Sequence, residues 1–221
     1  MYSSKHLLGV HATHLLLGKF GGKQILAALE KKITDDMLVD KRNNSFQANT
    51  YITQTNDAYT TEVKKILNYY LPYDAREKIL NELVKELLGD AGKIISEFYL
   101  SENEIKEMHD AGMIIGSHTV SHPVMSRFSA EEQEQQIIQS FNYLENITGP
   151  LLPKSFCYPY GGFHSFSETT EQLLQKNNCS FSFNVEPRDI DAKDLSDRQQ
   201  ALPRYDCNMF PHGQVYRLVQ H

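Results

Sequence analysis

Residues 98–126 read FYLSENEIKEMHDAGMIIGSHTVSHPVMS. Ser101 with Glu104 three residues later is a capping box. The serine oxygen takes an N–H of the first turn and the glutamate reaches back to the serine N–H, so a helix starts here. Gly112 closes it, because glycine enters the left-handed C-terminal conformation without a Cβ penalty. Met113-Ile114-Ile115-Gly116-Ser117-His118 follows at once, an apolar run too short for a helix, and reads as a buried strand. Ser129-Ala130-Glu131-Glu132 is a second capping box. It opens a helix carrying Ile137, Ile138, Phe141 and Leu144, which Gly149-Pro150 ends.

The same alternation continues downstream. Lys154 to Tyr158 is a strand, Ser167 to Gln175 a helix, and Cys179, Phe181, Phe183 and Val185 alternate with polar residues as in a strand. Ala201 to Tyr205 is a fourth. Strands alternating with helices imply βαβ units and a mainly parallel sheet, hence an α/β fold. Upstream the chain reads as helical. Leu7, Leu8, Leu15 and Leu16 share one face of a first helix, and Ile25, Leu26, Leu29 and Ile33 one face of a second. Residues 40–59 are rich in Asn, Gln and Thr without a period and form a loop. Val63, Ile66, Leu67 and Tyr70 start another helix. Ile79, Leu80, Leu83, Val84, Leu87 and Leu88 mark one that Gly89 ends.

The chain has 221 residues with 22 Lys and Arg against 28 Asp and Glu, a net charge of −6. That balance speaks against nucleic acid as a partner, since phosphate binding needs a positive surface. No apolar run approaches the length of a membrane-spanning helix. The N-terminal stretch MYSSKHLLGVHATHLLLGKF reads as an amphipathic helix, not a signal peptide, because histidines and a lysine interrupt it and no small-residue cleavage site follows. The sequence leaves the compartment open, with a cytoplasmic one favoured. Cys157, Cys179 and Cys207 are an odd, sparse set of reduced thiols.

Three features carry chemistry. Ser117-His118-Thr119-Val120-Ser121-His122-Pro123 places two imidazoles four residues apart where a strand ends. Functional groups of α/β folds gather there, and two such rings can converge on a divalent cation. The alternative is a pair of loop histidines bonded to backbone or water. Phe156-Cys157-Tyr158-Pro159-Tyr160-Gly161-Gly162 is a second strand end whose glycines allow close backbone approach; alone it reads as an ordinary turn. Leu202-Pro203-Arg204-Tyr205-Asp206 is a third, with Arg204 and Asp206 on one side of an extended chain. A separate option is metal binding by His11 and His14, which share a helix face.

In this order and spacing the three strand ends resemble the NodB-type polysaccharide deacetylases, carbohydrate esterase family four, over about residues 95 to 210. HTVSH resembles the family's H[ST]xxH motif, and YPYGG its RxPYG motif. The resemblance implies a distorted (β/α) barrel, here incomplete at the N-terminus, formed by residues 95–221 after a helical insertion over 1–94. It implies an N-acetylated carbohydrate as substrate and a divalent metal, zinc first, held by His118 and His122. Tyr160 matches the residue whose backbone N–H stabilises the oxyanion; Tyr158, Pro159 and Gly161 would line the substrate. Arg204 would replace the arginine that stands as Cys157 here, with Asp206 holding its guanidinium. The family's TFDDG motif, source of the metal carboxylate and the base, has no counterpart; Asp35-Asp36 reads as a solvated helix end. His212 is a weak stand-in for the last motif. A barrel lacking strands would expose a sheet edge and self-associate. With the carboxylates missing, the chain is expected to be an inactive or nearly inactive deacetylase, or else a non-catalytic carbohydrate-binding or interaction relative.

Overall fold

The computed structural model describes residues 7–39, 50–51 and 54–210. They divide into two compact units, one from the described residues of 7–95 with 207–210, the other Ser96–Asp206.

The first unit is helical. α1 spans Gly9–Glu30 but breaks at Gly21, whose φ of 75° is left-handed, so the two apolar stripes sit on separate helical halves. Leu16, Ile25 and Leu29 are wholly buried from either side of that break. The pair Asp35-Asp36 lies exposed in a short turn after α1. α2, Ala58–Lys65, starts where the Asp57 carboxylate accepts the Thr60 N–H at 3.0 Å. It continues into a π-helical turn, Ile66–Tyr70, with all five residues buried. α3, Tyr73–Leu87, buries Ile79, Leu80, Leu83 and Val84 and ends before Gly89. The short helix α4, Gly92–Phe98, had no signal in the sequence.

The second unit follows the sequence pattern more closely in its helices than in its strands. α5, Glu102–Asp110, carries both halves of its capping box, with Ser101 N–H to Glu104 Oε2 at 2.7 Å and Glu104 N–H to Ser101 Oγ at 3.3 Å. Gly112 takes φ 89°. α6, Ala130–Thr148, is capped in the same way by Ser129 and Glu132 and closed by Gly149. β1, Ser155–Cys157, α7, Glu168–Lys176, and β2, Phe181–Phe183, follow, then a short α8, Ala192–Asp197.

β1 and β2 pair in parallel, Phe156 opposite Ser182. On the outer side of β1, Ser117 bridges Phe156; on the outer side of β2, Leu202 bridges Phe183, both in parallel. Four segments thus lie side by side in chain order with helices between the first three, which is a βαβ arrangement. Two of the four expected strands shrink to single pairings. Met113 and Ile114 are exposed, and neither is in a strand pairing among the described residues. At the other edge Pro203 has no N–H to give the ladder. No pairing among the described residues joins the two edges, so the closed part of the expected barrel is not part of the observed sheet. Self-association through such an edge finds no support in these contacts.

One face of the sheet packs on α6 and α7. Phe141, Ile137, Phe156, Tyr158, Phe166 and Leu174 are at its centre. Tyr158 stacks on Phe166 at 3.8 Å and meets Phe156 edge-on at 5.4 Å. Ile138 is left outside, 37% exposed, so the apolar stripe of α6 is narrower than the sequence suggested. No helix among the described residues is long and apolar enough to cross a membrane.

Candidate active site

The site grows from Ser117. Its N–H goes to the Ser155 carbonyl and its own carbonyl accepts the Cys157 N–H, both at 2.9 Å. Its hydroxyl meets that of Ser140 on α6 at 2.6 Å in a buried contact. This anchors the point where the chain leaves the sheet.

The loop that follows is tightly folded. Thr119 has φ 67° and His122 φ 55°, and across from them Tyr160 has φ 63°. Side-chain-bearing residues pay about 1–3 kcal/mol each to stay left-handed, and such positions cluster at functional sites. The Thr119 hydroxyl accepts the His122 N–H at 3.0 Å. From α6, Gln136 Oε1 accepts the Val120 N–H at 2.9 Å, the Ser121 N–H at 3.0 Å and the Ser121 hydroxyl at 3.3 Å.

This folding brings His118 and His122 together, ring centroids 4.8 Å apart and steeply inclined. Tyr160 joins them, its ring 4.9 Å from that of His122. His118 Nδ1 lies 2.7 Å from the Cys157 carbonyl oxygen. A carbonyl can only accept, so Nδ1 carries the proton and the lone pair sits on Nε2 in the neutral ring. Metal-binding histidines are oriented in this way. A tetrahedral zinc about 2.0–2.1 Å from one nitrogen of each ring would set two imidazole centroids about 5 Å apart. The observed 4.8 Å between the rings is of that size. Among the described residues no group of three His, Cys, Asp or Glu side chains gathers to hold a metal.

Tyr158, Pro159 and Gly161, expected to line a substrate, are all buried. Tyr158 donates its hydroxyl to the Gln200 carbonyl and belongs to the core, where burial drives its phenol far above the usual range. Gly161 is a close-approach position: its φ is 70° and a Cβ there would lie 2.4 Å from Val185.

Arg204 stands beyond the Leu202 pairing, at the same end of the ladder as the histidines. Its Nε donates to the Asn184 carbonyl at 2.9 Å. Burial raises the Cys157 thiol above its usual range and the nearby Arg204 charge partly opposes this. Asp206 lies two residues on, partly exposed. His212 falls outside the described residues.

Two supports were missed in the sequence. Gln133, Gln136 and Ser140 form a polar stripe on α6 at helical spacing, visible in principle as hydrophilic residues beside an apolar face. His164 follows YPYGG; its ring packs on Gly162, and burial lowers its pKa. Its carbonyl accepts the Ser126 hydroxyl at 2.7 Å, tying the two loops together. His11 and His14 lie one turn apart on α1. Desolvation lowers both imidazoles, and His14 is lowered further by the positive Lys64 beside it.

The model of the family described as polysaccharide deacetylase matches residues 46–181, more than half of the chain. A peptidoglycan-N-acetylglucosamine deacetylase of Bacillus cereus is 36% identical over 59 residues, 27% of this chain and 21% of that protein, so the chain spans about a fifth of that relative. A crystal structure of a polysaccharide deacetylase from Bacillus cereus is 26% identical with a TM-score of 0.41, covering 48% of this chain and 32% of the other. A Streptococcus pyogenes deacetylase solved with acetate is 16% identical with a TM-score of 0.44, covering 83% and 78%.

Proposed function

The chain belongs to the polysaccharide deacetylase family, hydrolases of carbon–nitrogen bonds outside peptides, and from that premise we propose that its site is built for an acetamido group on an N-acetylated carbohydrate. The observation that carries this is the His118–His122 pair at 4.8 Å, with His118 oriented through Nδ1. In this reading the two histidines hold a divalent metal, zinc first. When bound, such a metal polarises an amide carbonyl and lowers the pKa of water. The chain's own residues then orient and stabilise. The Tyr160 backbone, held left-handed between Pro159 and Gly161, presents its N–H toward the developing oxyanion. Arg204 supplies positive charge near Cys157, where the related motif has an arginine. The distorted barrel of the family is the proposed frame, of which the parallel ladder is a part.

No carboxylate accompanies the histidines in a three-donor group among the described residues. General base catalysis is worth about 10²–10⁴-fold, so hydrolysis by this chain should be slow or absent. The same observation favours a second reading, a relative that binds carbohydrate and does not cleave it.

Two measurements test these readings. Calorimetric titration with zinc should show weak binding that His118→Ala and His122→Ala each abolish. Zinc binding that survives both substitutions would remove the histidine pair from the proposal. Acetate release from N-acetylglucosamine oligomers should stay near background with zinc present. Robust zinc-dependent release would restore full enzymatic status and demand another carboxylate. Oligomer binding without release would favour the binding relative.

A further inference from the structure

We propose that Gln136 is the positioning residue of this site: its side-chain oxygen sets the path of the loop between His118 and His122 and thereby the separation of their rings. The metal arm of the argument rests on the reading above; the loop arm does not.

Two successive backbone donors, Val120 and Ser121, and the Ser121 hydroxyl converge on Gln136 Oε1 within 3.3 Å. These residues lie between the two histidines. The loop they form is bounded by left-handed Thr119 and His122, so its conformation is not one an unsupported chain adopts. Its entry is fixed by Ser117 on the ladder, and its exit by the contact of Ser126 with the next loop. Between those points Gln136 is the acceptor that gathers the turn. The half-buried side chain sits on α6 between Gln133 and Ser140. Gln133 Nε2 donates to the Phe128 carbonyl at 2.9 Å and its Oε1 accepts the Thr170 hydroxyl at 2.7 Å. Ser140 holds Ser117. The polar stripe of α6 therefore clamps the start of the loop, its middle and the segment beyond it, each with a different residue.

The role needs an acceptor and tolerates a change of charge. Gln136→Ala removes the oxygen. Gln136→Glu keeps one at the same reach, since an ionised carboxylate accepts from the same donors. Hydrogen exchange of the Val120 and Ser121 amides in the full chain, without metal, reads the loop directly. Protection should fall in Gln136→Ala and return in Gln136→Glu, while the α6 amides keep theirs. Zinc titration reads the consequence: a loss of about 10–100-fold in Gln136→Ala, the range typical for groups that orient metal ligands, with recovery in Gln136→Glu. Unchanged exchange at both amides in Gln136→Ala overturns the proposal. So does lost protection with wild-type zinc affinity, because the loop would then not set the histidine pair. Wild-type protein that takes up no zinc would sink the metal reading, and the exchange data alone then decide for or against Gln136.

Discussion

At the residue scale the site is made of conformations that side chains ordinarily avoid. Thr119, His122 and Tyr160 are left-handed, and Gly161 continues that turn with φ 70°. Glycine is required at 161 for two separable reasons. An L-residue there bears about 1–2 kcal/mol of backbone cost. Its Cβ would also overlap the Val185 side chain at 2.4 Å, and overpacking of that kind costs about 1–3 kcal/mol more. Gly112 has a similar φ of 89°, but a methyl group added there would meet nothing within 4 Å, so it isolates the backbone cost. Gly161→Ala should therefore lower stability by roughly 2–5 kcal/mol and Gly112→Ala by about 1–2 kcal/mol. Urea unfolding of both variants checks the difference; equal losses would mean that Val185 yields freely and the close approach carries no weight.

At the element scale, what the sequence revealed and what it hid have physical causes. Helix starts were legible because a capping box is local: Ser101 with Glu104 and Ser129 with Glu132 satisfy each other's backbone within four residues. The left-handed closures at Gly112 and Gly149 are local in the same sense. Strand extent was not legible, because pairing depends on a distant neighbour. Met113 and Ile114 are apolar yet exposed, and among the described residues of that run only Ser117 makes backbone hydrogen bonds to β1. Of the site, the histidines could be read from spacing, whereas Tyr158, expected to line the substrate, is enclosed by Phe156 and Phe166. Gln136 carries no motif; only the folded loop shows what its oxygen does. α6 separates the two kinds of contribution. Ser129→Ala removes the hydroxyl that accepts the Glu132 N–H and should cost about 0.5–2 kcal/mol of stability. It leaves the polar stripe intact, so zinc affinity should stay at the wild-type value. Thermal melting and zinc titration of the same variant test this, and a joint loss would show that the helix start also controls the loop.

At the scale of the whole molecule, each unit has its own apolar interior, and the site depends on that of Ser96–Asp206. Phe141 is central to it. It is 2% exposed, its ring centroid is 6.4 Å from that of Phe156, and Lys154 Nζ lies 4.9 Å above its face. The same helix therefore uses Phe141 to hold the sheet and Gln136 and Ser140 to hold the loop that leaves the sheet. Truncation of a buried phenylalanine costs about 3–5 kcal/mol, from lost transfer energy and the cavity left behind. Domain stability is about 5–15 kcal/mol, so Phe141→Ala removes a large fraction of it. Ile138 lies three residues earlier on α6 but faces out at 37% exposure. Its truncation should change stability by less than about 0.5 kcal/mol, as surface substitutions do. Urea unfolding of Phe141→Ala and Ile138→Ala, with exchange of the Ser117 and Cys157 amides followed alongside, compares the two. A large loss for Phe141→Ala should bring down protection of both amides together, since their hydrogen bonds join the first pairing to β1 over this core. Comparable losses from the two variants would rotate α6 about its axis and move Gln136 away from the loop it is proposed to hold.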